Sequence, residues 1–423
     1  EYEAAGVLPV HVALVADPQI VDHHSYGQTG ALLRIVEFFT DIYVRKAYLV
    51  LQAIHRPQAV VFLGDLMDGG REWDDEQWMS EYARYKSIFR NRSPDSMRVY
   101  DMAGNHDIGI GNTVVQHALE RFHSQVGPTN RIVTLADHQL VLLDTLTLES
   151  DTKTVGAASR RLVQQLAANN SDSKQTRLLF SHVPLWRPNG TYCGPLRQSA
   201  PGHLLNRRGY QFRDQLFENT TKYLLDSIRP AAVFSGDDHD TCTVDHPIAS
   251  TGRQATEYTI GALGWASGVP VASYGLLTLY PRGVGRSQPP VHTVQNCFLP
   301  YQLGIYKVYA LSFIASLLLA AASCYSGARS WRPTLCKPSD DYELLVDHGG
   351  EQQQPYALVP RQDTDDQAQE MSLPMPGTTT ATTPGKWTLN QRGYAVRVAT
   401  TVRSVAVVAV PVYIASILYF YIV

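Results

Sequence analysis

Short apolar runs recur through the first 280 residues, each ending at polar or glycine-rich sequence. They read VHVALVA at 10–16, AVVFL at 59–63, RVYDMA at 98–103, LVLL at 140–143, RLLF at 177–180 and AAVF at 231–234. Runs of this length, bounded by turn residues, predict buried strands. Two later runs, 257–262 and 274–280, predict further strands. Helix-like segments lie between several of them, at 30–54 and 73–89. No internal repeat is present, so the alternation predicts one α/β domain over residues 1–300.

The pattern changes after residue 300. Val308 to Cys324 reads VYALSFIASLLLAAASC, free of charge, with Tyr301, Tyr306 and Tyr309 at its start. A second uncharged stretch runs from Ser404 to Val423. Each is long enough to cross about 30 Å of hydrocarbon, which predicts transmembrane helices at 301–324 and 404–423. Between them, residues 338–385 hold nine acidic side chains and one base, together with QQQP and TTTATTP. Such sequence cannot bury enough apolar surface to offset ordering, so 325–403 is expected to be a disordered loop. Arg329, Arg332 and Lys337 precede its acidic part, and Lys386, Arg392, Arg397 and Arg403 follow it. Cationic flanks favour the cytosolic side, which would place residues 1–300 in a lumen or outside the cell. Asn169, Asn189 and Asn219 begin glycosylation sequons in that part and none follows residue 300; Asn91 is a poor acceptor because Pro94 follows its sequon. The chain opens on EYEAAG with no cleavable signal, so an anchor upstream of Glu1 is expected.

Composition agrees with this division. The chain is 44% hydrophobic but only 18% charged, below the roughly 25% usual for soluble domains. A formal net charge of −3 argues against a nucleic-acid binder held by a basic field. Five cysteines are too few to carry a fold of 423 residues. Cys193 and Cys242 follow two of the polar tips described next; a disulfide between them and two free thiols both remain open.

The strands share a habit: residue types that ligate metals sit where they end. Asp17-Pro18-Gln19 follows the first run and Gly64-Asp65-Leu66-Met67-Asp68-Gly69-Gly70 the second. Gly104-Asn105-His106-Asp107, Ser181-His182-Val183-Pro184 and Gly236-Asp237-Asp238-His239-Asp240 follow the third, fifth and sixth. A single Asp after a strand is more often a turn or helix-cap residue than a ligand. The ordered set is what points to one polar site, because ligands collect beyond the carboxyl ends of strands in α/β sheets.

With these motifs in this order, the sequence resembles the calcineurin-like metallophosphoesterase superfamily over about residues 10–280. The resemblance implies an α/β fold, a four-layer β-sandwich flanked by helices, here with two C-terminal transmembrane helices added. It implies two divalent metal ions: the first held by Asp17, Asp65, His239 and Gln19, the second by Asp65, Asn105, His182 and Asp237, with Asp65 bridging. His106 corresponds to the family's catalytic imidazole, Asp107 would orient it, and Asp68 would support the loop. Gln19 stands where the family usually has His, and GDDH stands where it usually has GHxH. Oxygen in place of imidazole makes a harder site, which favours manganese over a zinc–iron pair. It also leaves open whether Gln19 ligates or only positions a water.

Three segments, ADPQIVD, GDLMDGGREWDD and SGDDHDTC, are similar to the membrane-anchored phosphodiesterases that remodel GPI glycolipids. That branch implies a luminal domain in the endoplasmic reticulum or early secretory pathway, removing ethanolamine phosphate from a mannose of a GPI glycolipid or GPI-anchored protein. Two alternatives stand beside it: a phosphoesterase for another lipid or nucleotide ester, and a catalytically degenerate glycolipid- or cargo-binding protein. Arg187 could contact phosphate, although a solvated surface arginine is the more ordinary reading. His23 and His24 read as loop residues.

Overall fold

A computed structural model of the chain describes residues 8–170, 176–265, 267–281 and 291–330. The chain divides into two units, Glu1–Tyr306 and Lys307–Val423. In the first, the strands are β1 (Val10–Val15), β2 (Ala59–Phe62), β3 (Arg98–Asp101), β4 (Arg131–Leu135), β5 (His138–Leu142), β6 (Thr176–Phe180), β7 (Arg208–Gly209), β8 (Phe212–Arg213), β9 (Ala232–Ser235), β10 (Cys242–Ile248), β11 (Arg253–Thr259), β12 (Ser273–Tyr280) and β13 (Val291–Phe298). The α-helices are α1 (His23–Tyr26), α2 (Gly30–His55), α3 (Asp75–Ile88), α4 (Asn105–Ile108), α5 (Gln116–Gln125), α6 (Thr145–Leu148), α7 (Ala157–Ala168) and α8 (Glu218–Ile228); α9 (Gln302–Ser330) begins in this unit.

Among the described residues, eleven strands form two mixed sheets, ordered β13-β12-β1-β2-β3 and β10-β11-β9-β6-β5-β4, and β7 with β8 make a small hairpin. Within them β1, β2 and β3 run parallel, as do β5, β6, β9 and β11. Both central regions are covered on two faces, which is why their strands read as continuous apolar runs. Val12, Leu14, Val61, Leu140, Leu178, Phe180, Phe234 and Leu277 fill the layer between the sheets. There Phe180 stacks on Phe234 with ring centroids 4.9 Å apart. The alternate positions Ala13, Val15, Val60, Phe62, Val141, Leu179 and Val233 pack with helix residues such as Tyr48, Leu51, Tyr85, Val163 and Leu224. The result is helix–sheet–sheet–helix layering, as the period-two alternation of side chains requires.

All eight sequence-predicted strands form, with ends shifted by a few residues. The strands that the apolar runs did not reveal are β4, β10 and β13, each at a sheet edge, and the β7–β8 hairpin. Edge strands are half exposed and alternate, as in the CTVDHPI of β10 with its Pro247, so they lack a continuous apolar run.

The helix predicted to span a membrane is part of α9, which continues to Ser330, beyond the expected end at 324. Its window Gln302–Leu319 has a mean hydropathy of 1.5 and none of it is buried. Among the described residues it is the one helix long and apolar enough to cross a bilayer. The acidic loop and the second expected span, 404–423, lie outside the described residues.

Candidate metal centre

The carboxyl ends of β1, β2, β3, β6 and β9 meet in one place, and backbone hydrogen bonds join their tips. The Leu63 N–H donates to the Val15 carbonyl (2.8 Å), Gln19 N–H to Asp65 O (2.9 Å) and Gly236 N–H to His182 O (2.8 Å). Leu263 and Gly264, just past β11, donate to the carbonyls of Ala16 and Asp17. Both sheets therefore contribute to the site.

The backbone there is strained. Asp17, Gln19, Asp65, Asp237 and His239 all have positive φ, between 30° and 66°, a region that costs energy for residues other than glycine. Glycine is needed beside them for space: a Cβ on Gly104 would overlap the Asp65 carboxylate, and one on Gly64 would strike the His182 ring.

Asp17, Asp65 and His182 are buried and present ligand atoms all within 4.8 Å of one another. Three oxygens surround His182 Nε2: Asn105 Oδ1 at 3.1 Å, Asp65 Oδ1 at 3.3 Å and Asp237 Oδ1 at 3.5 Å. The Asp237 N–H donates to both Asp17 carboxylate oxygens, at 3.1 and 3.0 Å. Gln19 turns its amide nitrogen to Asp65 Oδ2 and Asp68 Oδ1, both at 3.4 Å, and in that pose it donates to carboxylates.

The three imidazoles are held alike. Nδ1 of His182 bonds the Leu63 carbonyl (2.7 Å), that of His239 the Ser267 carbonyl (3.0 Å) and that of His106 the Asp68 carbonyl (2.7 Å). Each Nδ1 then carries the proton, and Nε2 is left for the site. For His182 and His239 this is the outer contact that a metal-ligating histidine makes.

The charges are consistent with a cation site. Burial pushes the Asp17 carboxyl up to about 7, only partly offset by His239 and His182. Burial also acts to raise Asp65, but His182 and His106 outweigh it and hold that carboxyl below the usual range. Desolvation works against a charged His182, yet Asp65 and Asp237 keep its pKa well above that of free imidazole. Burial likewise opposes a charged His106, and Asp65 together with the Asp68 hydrogen bond overrides it, pushing the imidazole up to about 10. Buried acids that protonate or recruit protonated imidazole are a donor set short of positive charge. Carboxylate and amide oxygens with imidazole nitrogen suit divalent cations, so the residues fit the expected group.

Two expected roles change. Asp107 does not face the His106 ring; it accepts from the backbone N–H groups of Gly104, Leu66 and Met67 and so braces the Asp65 loop. Burial, with the Asp65 charge adding, pushes its carboxyl up to about 7. The carboxylate beside His106 is Asp68, with Oδ1 3.1 Å from Nδ1. Arg187 is neither a surface residue nor a phosphate contact: it is buried and pairs with Glu257 at 2.7 Å, capping Leu185 O as well. The neighbouring Trp186, Pro188 and Asn189 give no sign of a distant buried acid.

Other contributors were not singled out from the sequence. Arg71 donates to the Asn105 carbonyl (2.8 Å) and to Gln211 Oε1 (2.7 Å), and the Gln211 carbonyl receives Asn105 Nδ2 (3.0 Å). Arg71 directly follows the Asp68-Gly-Gly turn, so proximity to the motif could have indicated it; Gln211 sits in the turn of the β7–β8 hairpin, which no apolar run marks. The 193–199 loop is fastened to the last tip by the Cys193–Cys242 disulfide, by an Arg197–Asp238 ion pair, and by Asp240, which accepts from Gln198 and Ser199. His23 and His24 are exposed, in α1.

The model of the calcineurin-like phosphoesterase family matches residues 10–241. Among curated proteins, Cell division control protein 1 of Saccharomyces cerevisiae is 34% identical over 325 residues, covering 73% of this chain and 65% of its own. The chain thus matches just under two thirds of that relative's length. A Metallophosphoesterase 1 homolog of Caenorhabditis elegans is 26% identical, with 69% and 75% of the two chains covered. Metallophosphoesterase 1 of Ailuropoda melanoleuca is 25% identical, with 67% and 71% covered. A solved dimetal phosphatase from Danio rerio aligns over 69% of this chain and 99% of its own, at 15% identity and a TM-score of 0.39.

Proposed function

The chain belongs to the calcineurin-like phosphoesterase family, whose members are metal-dependent phosphoric ester hydrolases, and on that footing we propose a membrane-anchored phosphodiesterase that removes ethanolamine phosphate from a mannose of the GPI glycan. The observation that carries the chemistry is the convergence of Asp17, Asp65 and His182. The observation that supports the substrate is the set of segments ADPQIVD, GDLMDGGREWDD and SGDDHDTC, joined in one chain to an apolar helix starting at Gln302. An ester that is itself anchored in a bilayer suits an enzyme with its own anchor.

Asp17, Asp65 and His239 would hold one cation, with Gln19 either a further ligand through Oε1 or the residue that positions a water, and Asp65, Asn105, His182 and Asp237 would hold the other, with manganese favoured by the oxygen-rich set. The cations would supply a water activated near neutral pH and neutralise charge on the phosphoryl oxygens. The chain's own part is to orient and to move a proton. Asp68 fixes His106 through Nδ1, which leaves Nε2–H to donate to the leaving sugar oxygen. Asp107 and Arg71 keep the Asp65 and Asn105 loops in register through their backbone contacts.

A luminal, oxidising compartment is supported by the Cys193–Cys242 disulfide and by exposed Asn169, Asn189 and Asn219. The Asn91 side chain is instead engaged by Met97 O and the Ser93 N–H. The test is hydrolysis of ethanolamine-phosphate-bearing GPI by purified full chain in detergent, with and without manganese. Release of ethanolamine phosphate that disappears in Asp65→Ala is expected. Hydrolysis of generic phosphodiesters with no action on GPI would favour another lipid or nucleotide ester. Fewer than two cations bound per chain and no hydrolysis would favour a binding protein.

A further inference from the structure

The surface of α2 is divided into three faces rather than two. One face, with Thr40, Val44, Ala47, Tyr48 and Leu51, is buried against the first sheet. A second carries Glu37 and Asp41, which engage Arg84 of α3; Arg84 Nη2 lies 2.6 Å from Asp41 Oδ1. The third is apolar and exposed: Leu32 (56%), Ile35 (54%), Phe38 (46%), Phe39 (37%), Val50 (51%) and Ile54 (68%). On an ideal helix these positions fall on one side, spanning roughly 160°. The helix has 26 residues, so the stripe extends over about 30–35 Å of its length. The exposed positions form two groups, Leu32 to Phe39 and Val50 to Ile54, with the half-buried Lys46 on the same side between them, and outward apolar side chains repeated along one helix of a folded domain mark an interaction site.

The structure also says what adjoins it. Tyr43, at the edge of the stripe, lies 6.0 Å from the ring of Trp265, and Trp265 lies 5.9 Å from Tyr306 in the first turns of α9. Tyr and Trp concentrate where a spanning helix meets the headgroups. The Trp265 loop is also part of the metal centre: Gly264 N–H donates to Asp17 O and Ser267 O holds His239. Before its N-terminal end, α1 and residues 27–29 join α2 to the segment carrying Asp17, Gln19 and Asp22, and Asp22 accepts from Gly69 of the Asp65 loop (2.9 Å).

We propose that the outward apolar stripe of α2 lies in the headgroup–acyl boundary of the bilayer that receives α9, holding the mouth of the metal centre against the lipid surface. This rests on the reading of α9 as a membrane anchor and adds the substrate's route: the ester is taken from the plane of the bilayer. The favoured occupant is lipid rather than a second copy of the chain, because the aromatic cluster makes the stripe continuous with the start of a helix suited to hydrocarbon. An interfacial helix needs an apolar face beside a charged one, and Arg34, Glu37, Asp41 and Arg45 supply the latter.

The experiment uses full chain reconstituted in phosphatidylcholine vesicles, with Cys297, Cys324 and Cys336 changed to serine. An environment-sensitive fluorophore is placed by Phe38→Cys, by Leu311→Cys in the anchor, or by Lys222→Cys on α8, which covers the other sheet. Brominated phosphatidylcholine should quench the labels at 38 and 311 and leave 222 unaffected. Quenching at 311 without quenching at 38 overturns the stripe proposal and keeps the anchor; quenching at neither overturns both. Energy transfer between copies labelled at 38, without lipid quenching, assigns the stripe to a dimer and overturns it too. In parallel, Ile35→Glu with Phe38→Glu should slow hydrolysis of a bilayer-borne ester about tenfold. Turnover of a water-soluble phosphodiester should be unchanged. Equal loss on both substrates would mean only that α2 supports the fold, and would refute the proposal.

Discussion

Glu257→Ala tests whether Arg187 is a buried structural charge. Glu257 is fully buried and accepts four hydrogen bonds: from Arg187 Nη2 (2.7 Å), His246 Nε2 (2.7 Å), Ser235 Oγ (2.7 Å) and Leu185 N–H (3.0 Å). Burial alone would raise its pKa, but Arg187 and His246 overcome this and bring it down to about 2. Against the ordinary value of 4.5, that depression corresponds to about 3 kcal/mol. Removing the carboxylate strands a guanidinium that is 2% exposed, a change that typically costs about 3–5 kcal/mol. The two routes agree, and for a unit of this size the midpoint of thermal unfolding should fall by on the order of 10 °C. The assay is thermal unfolding of full chain in detergent, followed by tryptophan fluorescence. Arg187→Met with Glu257→Leu should recover most of the loss, since both charges leave together. It should also keep hydrolytic activity, because Arg187 does not touch the metal centre. A loss below about 1 kcal/mol for Glu257→Ala, or a double variant as unstable as the sum of its parts, would refute the reasoning. The same linkage gives a pH effect. Because the folded pKa is depressed, this stabilisation is complete above about pH 4.5 and is lost as pH falls towards about 2.

Four further outcomes are expected. Asn105→Ala should lower cation affinity or activity by at least about 100-fold, read by titration calorimetry with manganese and by hydrolysis; unchanged affinity and rate would remove Asn105 from the site. His106→Ala should retain cation stoichiometry and lose about 100-fold or more in kcat, whereas Asp68→Asn should move the alkaline limb of the pH–rate profile to lower pH. The sign follows from Asp68 raising the His106 pKa: without it the proton is lost earlier as pH rises. Reduction of Cys193–Cys242, 49 residues apart, should cost about 4 kcal/mol by loop-closure entropy, seen as a lower unfolding midpoint in dithiothreitol.

The interior of the fold was legible because burial on both faces writes a continuous apolar run into a strand, as in Val12–Val15 and Val60–Phe62. Edge strands β4, β10 and β13 were not, since one face of each meets solvent or a loop. At the site, the residues at the strand tips were readable because chemistry restricts their types. What they point at was not. Asp107 and Asp68 are both acids near His106, and only the backbone path decides that the first braces the Gly104 turn while the second holds the ring. The Arg187–Glu257 pair joins residues 70 apart in sequence through the interior of a sheet, and nothing local to either one signals it.

The metal centre takes its side chains from both sheets: Asp17, Asp65 and Asn105 follow strands of one, His182 and Asp237 strands of the other. Its donors are therefore scattered over 220 residues of chain and come together only when the layer of Leu14, Phe180 and Phe234 has closed. A cation that needs donors from both halves has little hold on either half alone. Cation loading is therefore expected to follow closure of the sandwich, and a substitution that loosens that layer should lower cation affinity before it removes secondary structure.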